Sequence, residues 1–257
     1  MSKSDHLATI LNLINEKGSA SVSYLSKYLK VSESTVRRYL NELSNMGLII
    51  RVHGGAMALK ENKVSYEPMF EVKASLMLSE KKKIAEKAVE MIDEGDTIIL
   101  DSGTTTYQIA KEINRKIKRR ITVISVDVKV TEELGSNPNI ETIIIGGKVR
   151  PGYFSIFGEY AVFMLKEFQA EKVFLSADAV HPDKGITNSS VEEVFIKKQL
   201  IDCGKKVILV ADHTKFGKIA LAKVCDIDAI DMIITGKDLD EFFIEMLNNK
   251  GKELILV

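Results

Sequence analysis

The stretch GDTIILDSGTTTYQIAKEI, Gly95 to Ile113, decides how most of this chain is read. Its β-branched run DTIILD reads as a short strand. An acid, a serine, a glycine and three consecutive threonines follow, and YQIAKEI then takes the apolar spacing of a helix. A strand that delivers hydroxyls and backbone N–H groups to a helix start is a common way to hold a phosphate. Those N–H groups have no acceptor within the helix and lie at the positive end of its dipole. Gly103 lets the backbone approach a ligand. Capping of the helix by Ser102 or Thr104 is the plainer alternative. One hydroxyl would serve for that, whereas Ser102, Thr104, Thr105 and Thr106 offer four in succession, which favours an anion site.

The same alternation continues on both sides. Upstream, SEKKKIAEKAVEMIDEG places Ile84, Ala88 and Ile92 on one helical face, with Gly95 as its stop. Downstream, ITVISV, IETIIIGG, KVFLSADAV, KVILVAD, AIDMIIT and KELILV read as strands. They are interleaved with the helical VKVTEELG, GEYAVFMLKEF, SVEEVFIKKQLIDCG and DLDEFFIEMLNN. This is the pattern of an α/β domain with a largely parallel sheet covered on both faces. In such sheets ligands sit beyond the carboxyl ends of the strands, where DSGTTT, IGGKVRPG, SADAVHPDKGITNSS and ADHTKFG all fall. Gly146 and Gly147, followed by Lys148 and Arg150, suit a tight turn with solvated charges or a ligand contact equally well. Asp178 ends another strand, and Lys215 could neutralise a phosphate as a point charge, although a lone strand-end lysine is usually surface. Glu193 and Lys197 stand one helical turn apart, a spacing that most often means a modest helix-stabilising pair. They gain interest only from the loops beside them.

The first sixty residues have a different character. Leu7, Ile10, Leu11 and Ile14 form one helical stripe stopped by Gly18, and SVSYLSKYLKV forms a second with Ser23 as a candidate N-cap. After a break at Lys30-Val31, a third helix starts at Ser32, carries Val36, Leu40 and Leu43, and ends at Gly47. LIIRVHGGAMAL then turns about Gly54-Gly55 as a short hairpin. Two short helices across a tight turn make a helix-turn-helix, and the hairpin makes it winged. In that unit the N-terminal residues of the second helix face base edges in the major groove. Ser32, Ser34, Thr35 and Arg38 are the exposed candidates there, Arg37 would reach a phosphate or a base, and Arg51 and His53 on the wing would meet backbone or minor groove. A small helical cap with solvated charges is the bland alternative, against which the spacing, the paired arginines and the wing agree with one another.

VSYLSKYLKVSESTVRRYLNELSNMGLIIRVHGGA resembles the signature of the DeoR family of bacterial transcriptional regulators, in its serine before the recognition helix, its T-V-R-R core, the following N-E-L and the closing R-V-H-G-G-A. Tyr39 departs from it, standing inside that helix where the family usually has an aspartate, and is counted among the DNA-facing positions. Residues 79–236 are similar to the sensor domain of the same family, through EKKKIAEKA, GDTIILDSGTTTYQIA, ITVISV, IIIGGKVR, SIFG, FLSADAV, GITNSSVEEVFIKKQLI and VILVADHTKFG. The resemblance implies a fold like that of ribose-5-phosphate isomerase and a phosphorylated sugar or sugar-like effector with its phosphate on the threonine loop. By matching position it implies effector contacts at Asp101, Ser102, Gly103, Thr104, Thr105, Gly147, Arg150, Asp178, Glu193, Lys197 and Lys215. Lys73 stands for a usual arginine. Val126-Asp127 replaces a common asparagine-serine, and Ser176-Ala177-Asp178-Ala179 replaces G-A-D-G. These changes add side chains and a negative charge beside the presumed sugar, implying a more closed loop or an effector of unusual shape.

The expected organisation is therefore a winged helix-turn-helix over residues 1–58, a connector over 59–78 without sustained period, and a sensor domain over 79–257. Composition agrees: 257 residues, 45% hydrophobic and 28% charged, suit an ordinary globular protein. Residues 1–60 carry eight Lys/Arg against four Asp/Glu, and the remainder 28 against 32, a weakly basic head on an acidic body. No apolar run is long enough to span a bilayer. MSKSDHLATI lacks the pattern of a signal peptide, and two cysteines suggest a reducing compartment, so a cytoplasmic protein is expected. Scattered histidines and the absence of C-x-x-C, P-loop or dinucleotide motifs point to no metal and no cofactor. Expected partners are double-stranded operator DNA and the effector, with the chain assembled as a homo-oligomer, a dimer or tetramer. An isomerase with an added DNA-binding head is the alternative function. Asp178, Glu193 and Lys215 are the right types for acid–base work, but no catalytic residue is assigned. An architectural DNA protein with an inert body ranks last, because it leaves the polar strand-end loops unexplained.

Overall fold

The computed structural model describes residues 3–46, 48–58, 64 and 67–257. Gly47, expected to end the third helix, and residues 59–63, 65 and 66 of the expected connector lie outside the described residues. The chain divides into two compact units, Met1–Leu78 and Ser79–Val257.

In the first unit α1 (Lys3–Lys17), β1 (Ser19–Ser21), α2 (Val22–Leu29), α3 (Glu33–Asn45), β2 (Ile49–Val52), β3 (Gly55–Ala58) and α4 (Phe70–Ser75) follow in order. The apolar stripes close on one core that contains Leu7, Ile10, Ile14, Leu25, Val36, Leu40 and Leu43. Lys30 takes the left-handed conformation, φ 56°, and its N–H bonds to the Ser26 carbonyl, which makes the turn between α2 and α3. The N-cap of α2 is Ser21 rather than Ser23, with its hydroxyl accepting from Tyr24 N. Ser32 caps α3 as expected, accepting from Thr35 N. The wing gains a third strand, in the order β1-β3-β2. The connector reading needs correction at its end: Phe70–Ser75 is helical, and Val72 packs into the core of this unit. Two apolar positions in a six-residue helix are too few to register as a period.

The second unit opens with α5 (Leu78–Glu90) and alternates β4 (Thr97–Leu100), α6 (Thr104–Lys116), β5 (Ile121–Ser125), α7 (Val128–Leu134), β6 (Ile140–Ile144), β7 (Lys148–Val149), β8 (Ile156–Phe157), α8 (Glu159–Leu165) and β9 (Ala170–Leu175). There follow β10 (Ala179–His181), β11 (Gly185–Asn188), α9 (Val191–Cys203), β12 (Gly204–Val210), β13 (Ala222–Cys225), β14 (Met232–Thr235), α10 (Glu241–Asn249) and β15 (Glu253–Leu256). Seven strands form one sheet, β15-β14-β12-β9-β4-β5-β6, and every pairing in it is parallel. Separate apolar clusters cover it, one around Ile84, Ile109 and Phe174 and another around Ile99, Ile156 and Leu200. The expected α/β class thus holds, with an N-terminal winged helix-turn-helix.

Three details differ. Helix α5 ends at Glu90, so Gly95 lies in a later turn and is not its stop. KVFLSADAV is broken into β9 and β10, because Ser176 N bonds to the Asp101 carboxylate and the Ser176 carbonyl accepts from Lys197 Nζ. With both backbone groups taken by side chains, the ladder cannot continue. A small antiparallel sheet, β10-β11-β13, and the β7–β8 pair complete the unit. Among the described residues no helix is long and apolar enough to cross a membrane.

Candidate functional site

Each unit carries a cluster of polar residues. On α3 the residues Glu33, Ser34, Arg37, Arg38, Asn41 and Asn45 are exposed, whereas Val36, Leu40 and Leu43 are buried. A helix with this split shows one polar stripe to solvent. At its start Ser32 Oγ lies 2.8 Å from Ser34 Oγ and 2.9 Å from Thr35 Oγ1, so three hydroxyls gather beside the free N–H groups of the first turn. Arg37 is tethered to Glu33 at 2.9 Å, an exposed pair one turn apart. The Arg38 guanidinium lies 5.6 Å from the Tyr39 ring centre. His53 is exposed at the tip of the wing, and Arg51 braces the hairpin from within by donating to the Gly55 carbonyl at 2.6 Å.

Tyr39 is not on the exposed polar stripe. It is only 6% exposed, belongs to the core and sets its hydroxyl 3.5 Å from His6 Nδ1. Position 39 falls three residues after Val36, on the buried side of the helix. Sequence reasoning passed over Asn41, seven residues after Ser34 on the same stripe, whose amide can pair with a base edge. It also passed over Tyr24 and Tyr28 on α2, two exposed aromatics one turn apart.

In the second unit the threonine loop sits between β4 and α6. Gly103 is the N-cap of α6 and makes no side-chain capping bond. The hydroxyls of Ser102 and Thr104 therefore do not cap this helix, and the plain capping alternative fails. Thr106 Oγ1 donates back to the Gly103 carbonyl at 2.8 Å. A Cβ on Gly103 would stand 3.0 Å from Ser176 Oγ, so glycine is what lets the two loops approach.

Below the loop lies a buried ion pair. Asp101 and Lys197 are bonded side chain to side chain, at 1% and 2% exposure. Asp101 also accepts from Ser102 N at 2.8 Å and Ser176 N at 2.9 Å. The Ser176 hydroxyl lies 2.9 Å from Asp101 Oδ2 and 2.7 Å from the Ser102 carbonyl, and accepts from Lys197 Nζ at 2.9 Å. The serine that departs from the family pattern is thus part of the brace under the loop. A buried charge is tolerated only when paired and fully bonded, and this pair is both.

One turn away on α9, Glu193 accepts from Ser155 Oγ at 2.6 Å, Arg150 Nη1 at 3.0 Å and Asn188 Nδ2 at 2.9 Å. The Arg150 guanidinium also lies 3.6 Å from the Tyr153 ring centre. Glu193 and Lys197 therefore hold separate partners, and the helix-pair reading of their spacing is overturned. Asp178 is buried and accepts from Ser189 N at 2.9 Å. Ser189 Oγ is buried with no protein partner. Gly147 is glycine because a Cβ would come within 2.7 Å of the Phe157 carbonyl.

Asp127 ties the loop to the next helix. It accepts from Gly103 N at 3.2 Å and caps α7 through Lys129 N at 2.7 Å and Val130 N at 3.2 Å. Burial pushes its carboxyl up to about 7, against the pull of those N–H groups and with help from the charge of Asp101.

Lys215 lies in the short helical turn His213–Lys215 after β12. Burial would raise the carboxyl of neighbouring Asp212, but the charges of Lys215 and Lys81 hold it below its usual range. Lys218, half-buried and beside Lys215, is shifted downward by burial first and by that charge second. Glu80 fixes this loop from α5: one oxygen accepts from His213 N at 2.7 Å and Gly236 N at 2.9 Å, and the other lies 2.7 Å from His213 Nδ1. That contact raises the His213 pKa. Glu80, Lys81, Ser155, Asn188 and Ser189 were not foreseen. Ser155, Asn188 and Ser189 are polar residues in apolar or strand-end surroundings, whereas Glu80 and Lys81 are hidden in the charged run SEKKK. Among the described residues no group of three or more His, Cys, Asp or Glu is placed to hold a metal.

A family model described as the DeoR C terminal sensor domain matches residues 77–237, and one described as a DeoR-like helix-turn-helix domain matches residues 7–62. A transcriptional regulator of Escherichia coli K12 named for the sgc region is 34% identical over 254 residues, covering 98% of this chain and 96% of its own length. A transcriptional repressor of Escherichia coli O157:H7 named for the aga operon is 31% identical over 256 residues, covering 99% and 94%. Among solved structures, ribose 5-phosphate isomerase A from Methanocaldococcus jannaschii superposes on 53% of each chain at 16% identity with a TM-score of 0.40, a likeness too loose to carry weight.

Proposed function

The chain belongs to the DeoR family of transcriptional regulators, and from that premise we propose that it represses a carbohydrate-utilisation operon and that a phosphorylated sugar or sugar-like metabolite sets its operator affinity. As a helix-turn-helix regulator it binds double-stranded DNA and is not an enzyme. Arg37, Arg38, Ser34 and Asn41 would meet the major groove, with His53 on the wing near the backbone.

The observation that carries the effector reading is the start of α6. There Gly103 leaves the cap position without a side chain, so Thr104 and Thr105 present N–H groups and hydroxyls to an anion at the positive end of the helix dipole. Lys215, on the loop after β12, supplies a point charge for the same phosphate. Ser189 and Arg150 are candidates for the sugar hydroxyls. The loop is braced by Asp101, Lys197 and Asp127, so its geometry is set before the ligand arrives, which favours affinity.

Paired heads on a homo-oligomer would meet half-sites about one helical turn, or a multiple of one, apart. Effector binding would release the operator, so that a sugar phosphate induces the genes that consume it. Coupling of about 1–3 kcal/mol changes operator affinity by roughly 5–150-fold. The test is a thermal-shift screen of sugar phosphates followed by operator binding in the presence of any hit. Thr104→Val with Thr105→Val should leave operator binding intact and abolish the response to the hit. A wild-type response in that double variant would remove the phosphate from the threonine loop.

A further inference from the structure

Helix α9 has two faces. Its inner face carries Glu193, Ile196, Lys197 and Leu200, all buried. Its outer face carries Val191 at 45% and Phe195 at 60% exposure, one turn apart. Helix α8 lies beside it and runs the same way. Ser155, just before α8, donates to Glu193 in the first turn of α9, and Cys203 Sγ at the end of α9 bonds to the carbonyl of Leu165 at the end of α8. The outer face of α8 shows Tyr160 at 85% and Phe163 at 69% exposure. Single exposed apolar residues are ordinary on a surface, but four large ones on two adjacent helices mark an interaction site.

The charges around this layer say what covers it. Exposed Glu192 stands three residues before Phe195, and exposed Lys198 stands three residues after it. If a second α9 crosses antiparallel through a two-fold axis at Phe195, Glu192 of each copy falls opposite Lys198 of the other. Both ion pairs form, the two phenylalanines meet at the axis, and no like charges oppose each other. Self-complementarity of this kind is what an isologous contact requires, whereas an unrelated partner would need no such symmetry. We propose that the outer face of α9, flanked by α8, is the surface through which two copies of this chain pair. The pairing deepens the reading above, since it rests on the need for paired heads. It also sets the contact one side chain away from Lys197, which braces the effector loop through Asp101 from the opposite face of the same helix.

The test is the mass of the full chain in solution by light scattering over a concentration series. Wild type should be at least a dimer, and Phe195→Asp should lower the mass at equal concentration. Glu192→Lys should raise the dissociation constant on the order of 10-fold or more, because the two-fold axis applies each like-charge repulsion twice. Lys198→Glu alone should do the same, and the double variant with both reversals should restore wild-type pairing. A monomeric wild type, unchanged mass in Phe195→Asp, or a double variant as weak as either single reversal would each overturn the contact. None of these readouts depends on a ligand, so loss of the contact with an intact sugar-phosphate response would leave the switch standing. The converse result, an intact contact with no response in the ligand screen, would defeat only the switch.

Discussion

The polar residues of the two units are held in opposite ways. On α3 the polar side chains are exposed to solvent and lightly tethered, as with Arg37, 61% exposed and held by one surface pair. In the larger unit the polar residues are buried or half-buried and bonded to other side chains, as with Asp101, Lys197 and Ser176, and with Glu193 and Ser155. A DNA-reading surface must be available to a rigid, highly charged partner, and its side chains can wait in water. A site for a small molecule, as proposed for the larger unit, would have to hold its shape before the ligand arrives, which places its charges where each needs a partner. Stability and function should therefore separate in the head and be entangled in the body.

The largest effect that would break this contrast is at the buried pair. Lys197→Met leaves Asp101 buried without its counter-charge and should destabilise the larger unit by about 3–5 kcal/mol in urea unfolding. A loss under about 1 kcal/mol would mean that the pair is not the keystone of the loop. Next comes the head. Arg37→Ala and Arg38→Ala should each weaken operator binding by about 1–3 kcal/mol where they read a base, and flatten the salt dependence where they meet phosphate. Neither should move the melting temperature, since exposed substitutions stay within about 0.5 kcal/mol. A fall in stability matching the fall in binding would erase the distinction drawn here.

A pH-dependent effect sharpens it further. The Asp127 carboxyl, at about 7 in the folded chain, lies above its unfolded value of about 4. Its contribution to stability is thus fully present below about pH 4 and is lost as pH rises through about 7, at about 1.4 kcal/mol per unit between the two. Asp127→Asn should remove that slope, so the difference between wild-type and variant melting curves should grow from pH 5 to pH 7 and then level. His213, raised by Glu80, also loses its contribution as pH rises, but it does so in both proteins and cancels in the difference. Parallel curves would show that Asp127 is ionised throughout.

What could be read from the sequence follows the same division. The helix-turn-helix was legible because its signals are local: the Ser32 cap, the stripe of Val36, Leu40 and Leu43, and the paired arginines all lie within about three turns of one helix. Tyr39 was misread because a family position was carried over without checking which side of the helix it occupies. Strand–helix alternation gave the parallel sheet, since each element is a local pattern. The partners of Glu193 and Lys197 were not legible. Arg150 lies 43 residues away and Asp101 lies 96 away, and the tempting local pairing between the two does not form. The role of Ser176 was hidden likewise, because a serine in place of a glycine says nothing of which carboxylate it will meet.

Glu80 has a consequence of a mechanical kind. The smaller unit ends at Leu78, and two residues later the Glu80 carboxylate is already fastened to the backbone of His213 and Gly236. The first turn of α5 is therefore anchored to the loop that carries Lys215, and a displacement of that loop acts directly on the start of the helix.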